Sequence, residues 1–374
     1  MQFLRNNLAR PWVLSLVAMV GLAARMWLAA QGYNFDMDSW IVAANIMHHG
    51  GCVYVETDRY NYSPFWFCVI HGLDLLGGHH PAVLRYLTSG LLSLVDLGIF
   101  LVLLKRVGSL AATLFFLNPI SIIISGYHCQ FDNFAILAAL GAAWLIGDDF
   151  DQPLNRRKYA GLLLLGLSLI VKHDFFAFPV WLAVKQKGWR YKLPILVIPP
   201  TLFVLSFVPY WSTAGGSIIQ HVYCYQPAEM NHFYKVFVPA GLQHLCDSQT
   251  LWLAALLVFA FVCRTRTVLE SALIYLGLLL ALAPNTYNQY LAIPMVLAAV
   301  YPSVFFAVYL VAGTVHLCAS NDGLHWLSQP KGGCVWLVAD ALCCALIWHL
   351  WRPQIRRGLE AMVKEFQIQF GWPK

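Results

Sequence analysis

"YNYSPFWFCVIHGLDLLGGHH", residues Tyr60 to His80, can be read as a membrane crossing or as a helix lying at the membrane surface. The choice sets the side of every later loop. The solvent is not in doubt: 59% of the 374 residues are hydrophobic, only 11% are charged, and the mean hydropathy is +0.62. That balance lies far outside the soluble globular range and indicates a multi-pass integral membrane protein. A crossing needs about 20 apolar residues, and such runs fill most of the chain, which leaves no room for a soluble domain. Pro11 to Gln31 is followed by Tyr33-Asn34-Phe35-Asp36 and not by a small-x-small cleavage site, so it is read as the first crossing and not as a signal peptide.

The positions of Lys and Arg decide between the two readings of Tyr62 to Gly77. They cluster at Arg5 and Arg10; Lys105 and Arg106; Arg156, Arg157 and Lys158; Lys185, Lys187, Arg190 and Lys192; Arg264 and Arg266; and Arg352, Arg356 and Arg357. A crossing at Tyr62 to Gly77 would expel Lys105 and Arg106, and by parity the Arg156 to Lys158 cluster, to the outer side. An interfacial or dipping helix keeps every cluster cytoplasmic. The polar residues His71, Asp74, His79 and His80, after a Ser63-Pro64 helix start, favour the interfacial helix.

The predicted fold is therefore all-α, a polytopic membrane helix bundle of roughly 11–13 spans with a large first outer loop that carries interfacial helices. The predicted spans are 11–31, 82–104, 109–126, 131–147, 159–172, 174–185, 192–211, 250–263, 268–283, 289–301, 303–318 and 333–351. By the same parity Gly32 to Pro81, Ser212 to Thr250 and Pro284 to Gln289 are outer segments, and His128 to Asn133 and Lys172 to Asp174 are outer turns. The +6 net charge is the cytoplasmic clusters obeying the positive-inside rule and gives no argument for nucleic acid. The tail from Arg352 reads as a basic amphipathic helix on the cytoplasmic leaflet.

With the sides assigned, the polar residues converge. Asp36 and Asp38; His128, Gln130, Asp132 and Asn133 in "YHCQFDNF"; Lys172, His173 and Asp174 in "LIVKHDFFAFP"; and Asn285, Asn288 and Gln289 in "APNTYNQYLAIP" all fall at outer helix ends. Ionisable groups at membrane depth are expensive, so their convergence marks a functional chamber. Taken singly, a Lys or His near a helix end is as often just snorkelling. Arg25 reads as a snorkelling or pairing residue, and Asp96, near the middle of the second span, calls for a partner inside the bundle.

The order of these motifs resembles the GT-C superfamily of membrane glycosyltransferases that use polyprenyl-phosphate sugars. A first helix is followed by an outer loop opening with an acidic pair, here Asp36-Met37-Asp38, and then by a tyrosine-proline element, "YNYSPFW". "RYLTSGLLSLVDLGIF" and "LNPISIIISGYHCQFDNF" look like the second and third helices of dolichyl-phosphoglucose glucosyltransferases and of bacterial polyprenyl-phosphate mannosyltransferases. Lys172 with Pro179, and Tyr290 to Pro294, continue the pattern. The likeness covers roughly residues 10–185 well and the rest loosely. It implies one membrane glycosyltransferase domain, with a catalytic module in 1–211, variable acceptor- and lipid-binding helices in 212–351 and a cytoplasmic tail in 352–374. It also implies that the first acidic position, Asp36, is the base, with Asp38 a supporting acid or a possible metal ligand. Bacterial members often carry one acidic residue here, which leaves the division between Asp36 and Asp38 open.

The chemistry so implied suits the residue types. Inverting transfer from a polyprenyl phosphate is a single in-line displacement that needs one carboxylate to take the acceptor hydroxyl's proton. A retaining route wants two carboxylates about 5 Å apart across one bond, and aspartates two residues apart point to different faces. The leaving lipid phosphate needs cations or donors, for which Lys172 comes first, then His173, His128 and Gln130. Asp132, Asn133, Asp174, Tyr62, Tyr290, Gln289 and, in the late loop, His232 are the expected substrate contacts. Trp40, Tyr54, Tyr60, Tyr62 and Trp66 are placed to stack on sugar rings.

No C-x-x-C occurs among the ten cysteines, and a polyprenyl monophosphate needs no metal bridge, so no metal and no other cofactor is expected. Cys224 with Cys246, and Cys318 with Cys334, bracket outer loops as free thiols or disulfides. The expected partners are the lipid-phosphate sugar, a glycan, lipid-linked or protein acceptor, and membrane lipid. The expected location is a bacterial inner membrane with a periplasmic site, or the endoplasmic reticulum with a luminal one. A secondary transporter or flippase is the alternative, but that class places its ionisable groups near the midplane between repeat-related halves, whereas here they gather at one surface.

Overall fold

The computed structural model describes residues 8–150, 153–225, 249–283, 287–320, 322–328 and 337–353, and these are all helix, turn and connection with no strand among them. The first half runs α1 (Pro11–Ala30), α2 (Phe35–His48), α3 (Val53–Glu56), α4 (Pro64–Leu76), α5 (Pro81–Arg106), α6 (Ser109–Phe116), α7 (Pro119–Ile123), α8 (Asp132–Ile146) and α9 (Arg156–Val171). The second runs α10 (Phe178–Ala183), α11 (Trp189–Leu205), α12 (Trp211–Ile218), α13 (Gln249–Val262), α14 (Val268–Ala281), α15 (Met295–Val300), α16 (Val304–Ala319) and a last helix over 337–353.

Local chemistry sets the boundaries. Proline opens α1, α4, α5 and α7, where its missing N–H costs nothing. Asn34 caps α2 by accepting from the backbone N–H groups of Asp36 and Met37, and Ser63 caps α4. Lys105 and Arg106 close α5 at the negative end of its dipole. Between α6 and α7 the chain breaks at Asn118-Pro119 and bends by 47°, because Pro119 cannot donate and Asn118 caps the new helix. A π-turn over Ile124–His128 follows, and Cys129 adopts a left-handed conformation that turns the chain into α8. Gly126 in that turn sits against α1 so closely that a Cβ would lie 2.7 Å from the Arg25 carbonyl oxygen.

Among the described residues, three helical stretches are long and apolar enough to cross a membrane: Pro11–Ala30, Pro81–Arg106 and Trp189–Tyr223. The bent pair α6–α7 makes a fourth if it counts as one span, and shorter apolar helices fill the rest of the bundle. The second of these, α5, extends over roughly 39 Å, more than a bilayer core, whereas the 13 residues of α4 reach only roughly 20 Å. The two ends of the bundle differ. At the Arg106 end, the Arg106 guanidinium lies 3.8 Å from the Trp144 ring, Arg157 donates to the Trp144 carbonyl at 2.9 Å, and Lys185 donates to the Arg266 carbonyl at 2.6 Å. The predicted basic clusters thus meet one another.

The expected boundary at residue 211 is corrected. Helix continues through α12 and a π-turn over Ile219–Tyr223, so the segment read as a loop from Ser212 begins as helix. The small polar run Ser212 to Gly216 hid this. Ala214, Ile218 and Val222 are buried against the aromatic core beside α2 and α4, and that burial outweighs the low helix propensity of two glycines. Beyond Tyr225 the expected contact His232 lies outside the described residues, as do Asn285, Cys246, Cys334 and the tail beyond Pro353.

There are two cores. One is aliphatic and runs through α1, α5 to α10 and α13 to α16. The other is aromatic and lies over the turn between α7 and α8. There Trp66 stacks on Phe131 at 4.3 Å, and Trp40 touches Tyr60, Tyr62, Trp66 and Phe131 while its indole donates to the Cys129 carbonyl at 3.1 Å. This corrects the sugar-stacking expectation for Trp40, Tyr54, Tyr60 and Trp66, all at most 2% exposed. Aromatic pairs gain energy beyond their buried area, and Tyr54 and Tyr60 satisfy their hydroxyls on the Tyr62 and Ser63 carbonyls, so the cluster is a lid core.

Candidate active site

The turn His128 to Asn133 is gripped from three sides, and most of its polar side chains face the end of the bundle opposite the basic clusters. Behind it lies a buried network. Arg25 donates from Nε to Asp96 Oδ2 at 2.9 Å, and its remaining nitrogens reach the Gly21 and Phe116 carbonyls and Ser121 Oγ. Asp96 also accepts from Ser121, from Ser125 at 2.6 Å and, on Oδ1, from Asn133 Nδ2 at 2.6 Å. Arg25 is thus the partner that Asp96 calls for, and the amide nitrogen of Asn133, expected to touch substrate, is committed here.

In front of the turn the site has two halves. The acid half joins α2, the turn and a residue from the far end of the chain. Asn34 Nδ2 lies 2.9 Å from Asp36 Oδ2, 2.7 Å from His128 Nδ1 and 3.3 Å from Asp322 Oδ2, while Asp36 Oδ2 is 4.0 Å from His128 Nδ1. Asp322 also accepts from the Phe35 backbone N–H at 3.3 Å. The environments drive the two carboxyls apart. Burial would raise Asp36, but His128, Gln130 and Asn34 outweigh it and hold it below the usual carboxylate range. Burial dominates at Asp322 and pushes it up, with the Asp36 charge adding to the rise. The two carboxyls are thus pushed in opposite directions, Asp36 toward the ionised form. This half opens on a cavity of about 360 Å³ lined in part by Tyr33, Phe35, Asp38, Tyr127 and Asp322.

The lysine half is built from the ends of α8 and α9. The chain leaves α9 with Lys172 extended, at φ −153°, and its ammonium meets Asp132 Oδ1 at 2.6 Å. Three rings surround the same ammonium, those of Tyr62, Phe131 and Tyr290, at 5.4, 5.2 and 5.3 Å. The His173 ring lies 6.3 Å from that of Tyr62 and is tilted by 41°, and the Asp174 carbonyl accepts from Tyr275 at 2.8 Å. Beside Tyr290, Gln289 is buried. An apolar cavity of about 190 Å³ opens here, lined in part by His173, Asp174, Phe176, Trp252, Leu279 and Tyr290. Tyr62 stands between the halves, with its ring against Lys172 and its hydroxyl within electrostatic reach of Asp36, Asp132 and Asp174.

Asp38 belongs to neither half. It pairs with Arg59 at 2.8 Å and is half exposed at the rim of the larger cavity, which separates the two aspartates that the sequence leaves open. Asn34 and Asp322 were not anticipated. The signal for Asp322 was its place in "SNDG", an outer segment by charge parity, and Asn34 has the ordinary look of a helix cap.

Seven buried polar atoms in the two turns have no hydrogen-bond partner among the described residues: His128 Nε2, both amide atoms of Gln130, Asp132 Oδ2, Asn133 Oδ1, His173 Nδ1 and Asp174 Oδ2. Each such group carries a desolvation cost of about 1–3 kcal/mol, which a ligand with complementary polar atoms removes. Compared with protein-family models, with curated proteins and with solved structures, the chain matches none.

Proposed function

We propose that the protein is an inverting glycosyltransferase of GT-C type that moves a hexose, mannose or glucose, from a polyprenyl phosphate to an acceptor hydroxyl on a glycan, lipid or protein. The observation that carries the reading is the pairing within one site of a carboxylate held toward its ionised form, Asp36, and a buried ammonium, Lys172, both within reach of Tyr62. In-line displacement at an anomeric carbon needs just these two charges on opposite faces of the sugar.

Asp36 takes the acceptor hydroxyl's proton as that oxygen bonds to the anomeric carbon, and the bond to the phosphate oxygen breaks with its electron pair. Lys172 meets the charge left on the phosphate, and the free valences of His128, Gln130, His173 and Asp132 supply further contacts. The apolar cavity beside Lys172 suits the first isoprene units of the lipid, and the larger cavity beside Asp36 suits the acceptor. The site then faces the outer or luminal side of its membrane.

The test is to supply purified protein with polyprenyl-phosphate mannose and polyprenyl-phosphate glucose and to follow transfer by wild type and by Asp36→Asn. Transfer is expected from the wild type and lost in the variant. Full transfer by Asp36→Asn removes the base assignment. A donor that never binds, together with a collapsing solute gradient in vesicles, replaces the enzyme with a transporter.

A further inference from the structure

The acid half holds more acceptors than its central donor can serve. Asp36 Oδ2, His128 Nδ1 and Asp322 Oδ2 all surround the Asn34 amide nitrogen at 2.7 to 3.3 Å, and an amide carries only two hydrogens. One acceptor is left over. Because Asn34 donates to Nδ1, the neutral ring keeps its proton on Nε2, where it is buried without a partner among the described residues. The Nδ1 lone pair is thus directed at the same point as the two carboxylates, where the Asn34 amide nitrogen now sits.

Ligand atoms from the three side chains lie within 4.8 Å of one another. A first-row cation bound at about 2.0–2.2 Å holds adjacent ligands about 3–3.6 Å apart, so the three side chains close in by about an ångström as the ion displaces the Asn34 amide nitrogen. A separate observation points the same way. Gln130 is 1% exposed with its amide nitrogen toward Asp36, and its amide oxygen has no partner among the described residues. Its Oε1 is available as a fourth ligand, and the cavity beside Tyr33 and Tyr127 gives the open coordination positions access to solvent.

We propose that Asp36, His128 and Asp322 form a binding site for a divalent first-row transition-metal cation, with the Asn34 amide nitrogen holding its place in the empty site. One imidazole with two carboxylates favours a borderline ion such as Mn²⁺ or Zn²⁺ over Mg²⁺ or Ca²⁺, which prefer oxygen alone. Metal entry turns Asn34 aside and loosens the α2 cap. The cluster uses Oδ2 of Asp36, so the other carboxylate oxygen remains for a substrate proton. This site runs against the metal independence expected from a monophosphate donor, and it stands or falls without the transfer reading, because its test reads metal and not sugar.

Full-length protein in detergent, stripped with EDTA, is titrated with Mn²⁺ and followed by electron paramagnetic resonance. One ion per chain is expected, with a nitrogen coupling from His128. Asp322→Asn and His128→Gln should each weaken binding by about 10–100-fold or more. Asn34→Ser, which keeps a capping oxygen but removes the competing amide, should bind Mn²⁺ more tightly than wild type, a gain that no purely structural role of Asn34 produces. Asp74→Asn, in the separate His79–Asp74 pair, should bind as wild type does. The proposal is overturned by an absence of stoichiometric Mn²⁺, by binding without nitrogen coupling, or by binding that survives whichever of Asp322→Asn and His128→Gln keeps its fold.

Discussion

Two ion pairs are buried among the described residues, and they differ in what they leave unused. In Arg25–Asp96 each guanidinium nitrogen has a partner, and Asp96 accepts from four side chains. In Lys172–Asp132 the ammonium makes one hydrogen bond and otherwise rests over three rings, while Asp132 Oδ2 has no partner among the described residues. A charge buried in a membrane bundle demands compensation, so the first pair is complete as a structural bolt and the second is complete only with something bound. Saturation, more than burial, separates the part that holds the fold from the part offered to a ligand.

The comparison is open to attack at several points. The largest effect is expected from Asp96→Leu, which strands the Arg25 charge and should cost about 3–5 kcal/mol, read as a drop in the thermal unfolding midpoint in detergent. Lys172→Met should instead lower transfer by about 100- to 1,000-fold, the loss typical of one stabilising donor at a developing oxyanion. Its unfolding midpoint should move less than that of Asp96→Leu; an equal drop would make the lysine pair structural and erase the distinction.

Paired replacements sharpen the contrast. Arg25→Met with Asp96→Leu should regain most of the stability lost by the single change, because no charge is left unpaired. Lys172→Met with Asp132→Leu should be stable and still inactive; transfer by that double variant would remove the lysine half from the reaction. The smallest effect expected is that of Gly126→Ala, whose Cβ meets the α1 backbone at Arg25. That overpacking should cost about 1–3 kcal/mol and shift the π-turn that carries His128, lowering activity along with stability. An unchanged midpoint would show that α1 and the turn have room to part.

The sequence carries the helical plan and most of the lysine half, since both rest on short-range signals. Apolar runs end at Pro, Asn and Ser caps, and basic clusters mark one end of the helices, which gives the helical order, but where roughly 11–13 spans are expected only three described stretches, or four with the bent α6–α7 pair, are long and apolar enough to cross. The expected loop start at Ser212 fails because α12 is held by burial in the aromatic core and against α3, a contact that no local pattern announces. The sugar-stacking expectation fails for a related reason. An interfacial aromatic looks the same in sequence whether it faces a substrate or its neighbours, and only the packing of Trp66 on Phe131 decides.

By itself, then, the sequence determined that the chain is a helical membrane protein and that its ionisable residues gather at one end, because hydropathy and charge act residue by residue along the chain. The tertiary structure alone decided which of those residues meet. It separated Asp36 from Asp38 by pairing the latter with Arg59, and it assigned Arg25 to Asp96. It also brought Asp322 to Asn34 across 288 residues of chain. Those contacts depend on how helices pack, and packing is a property of surfaces in three dimensions that no window of sequence contains.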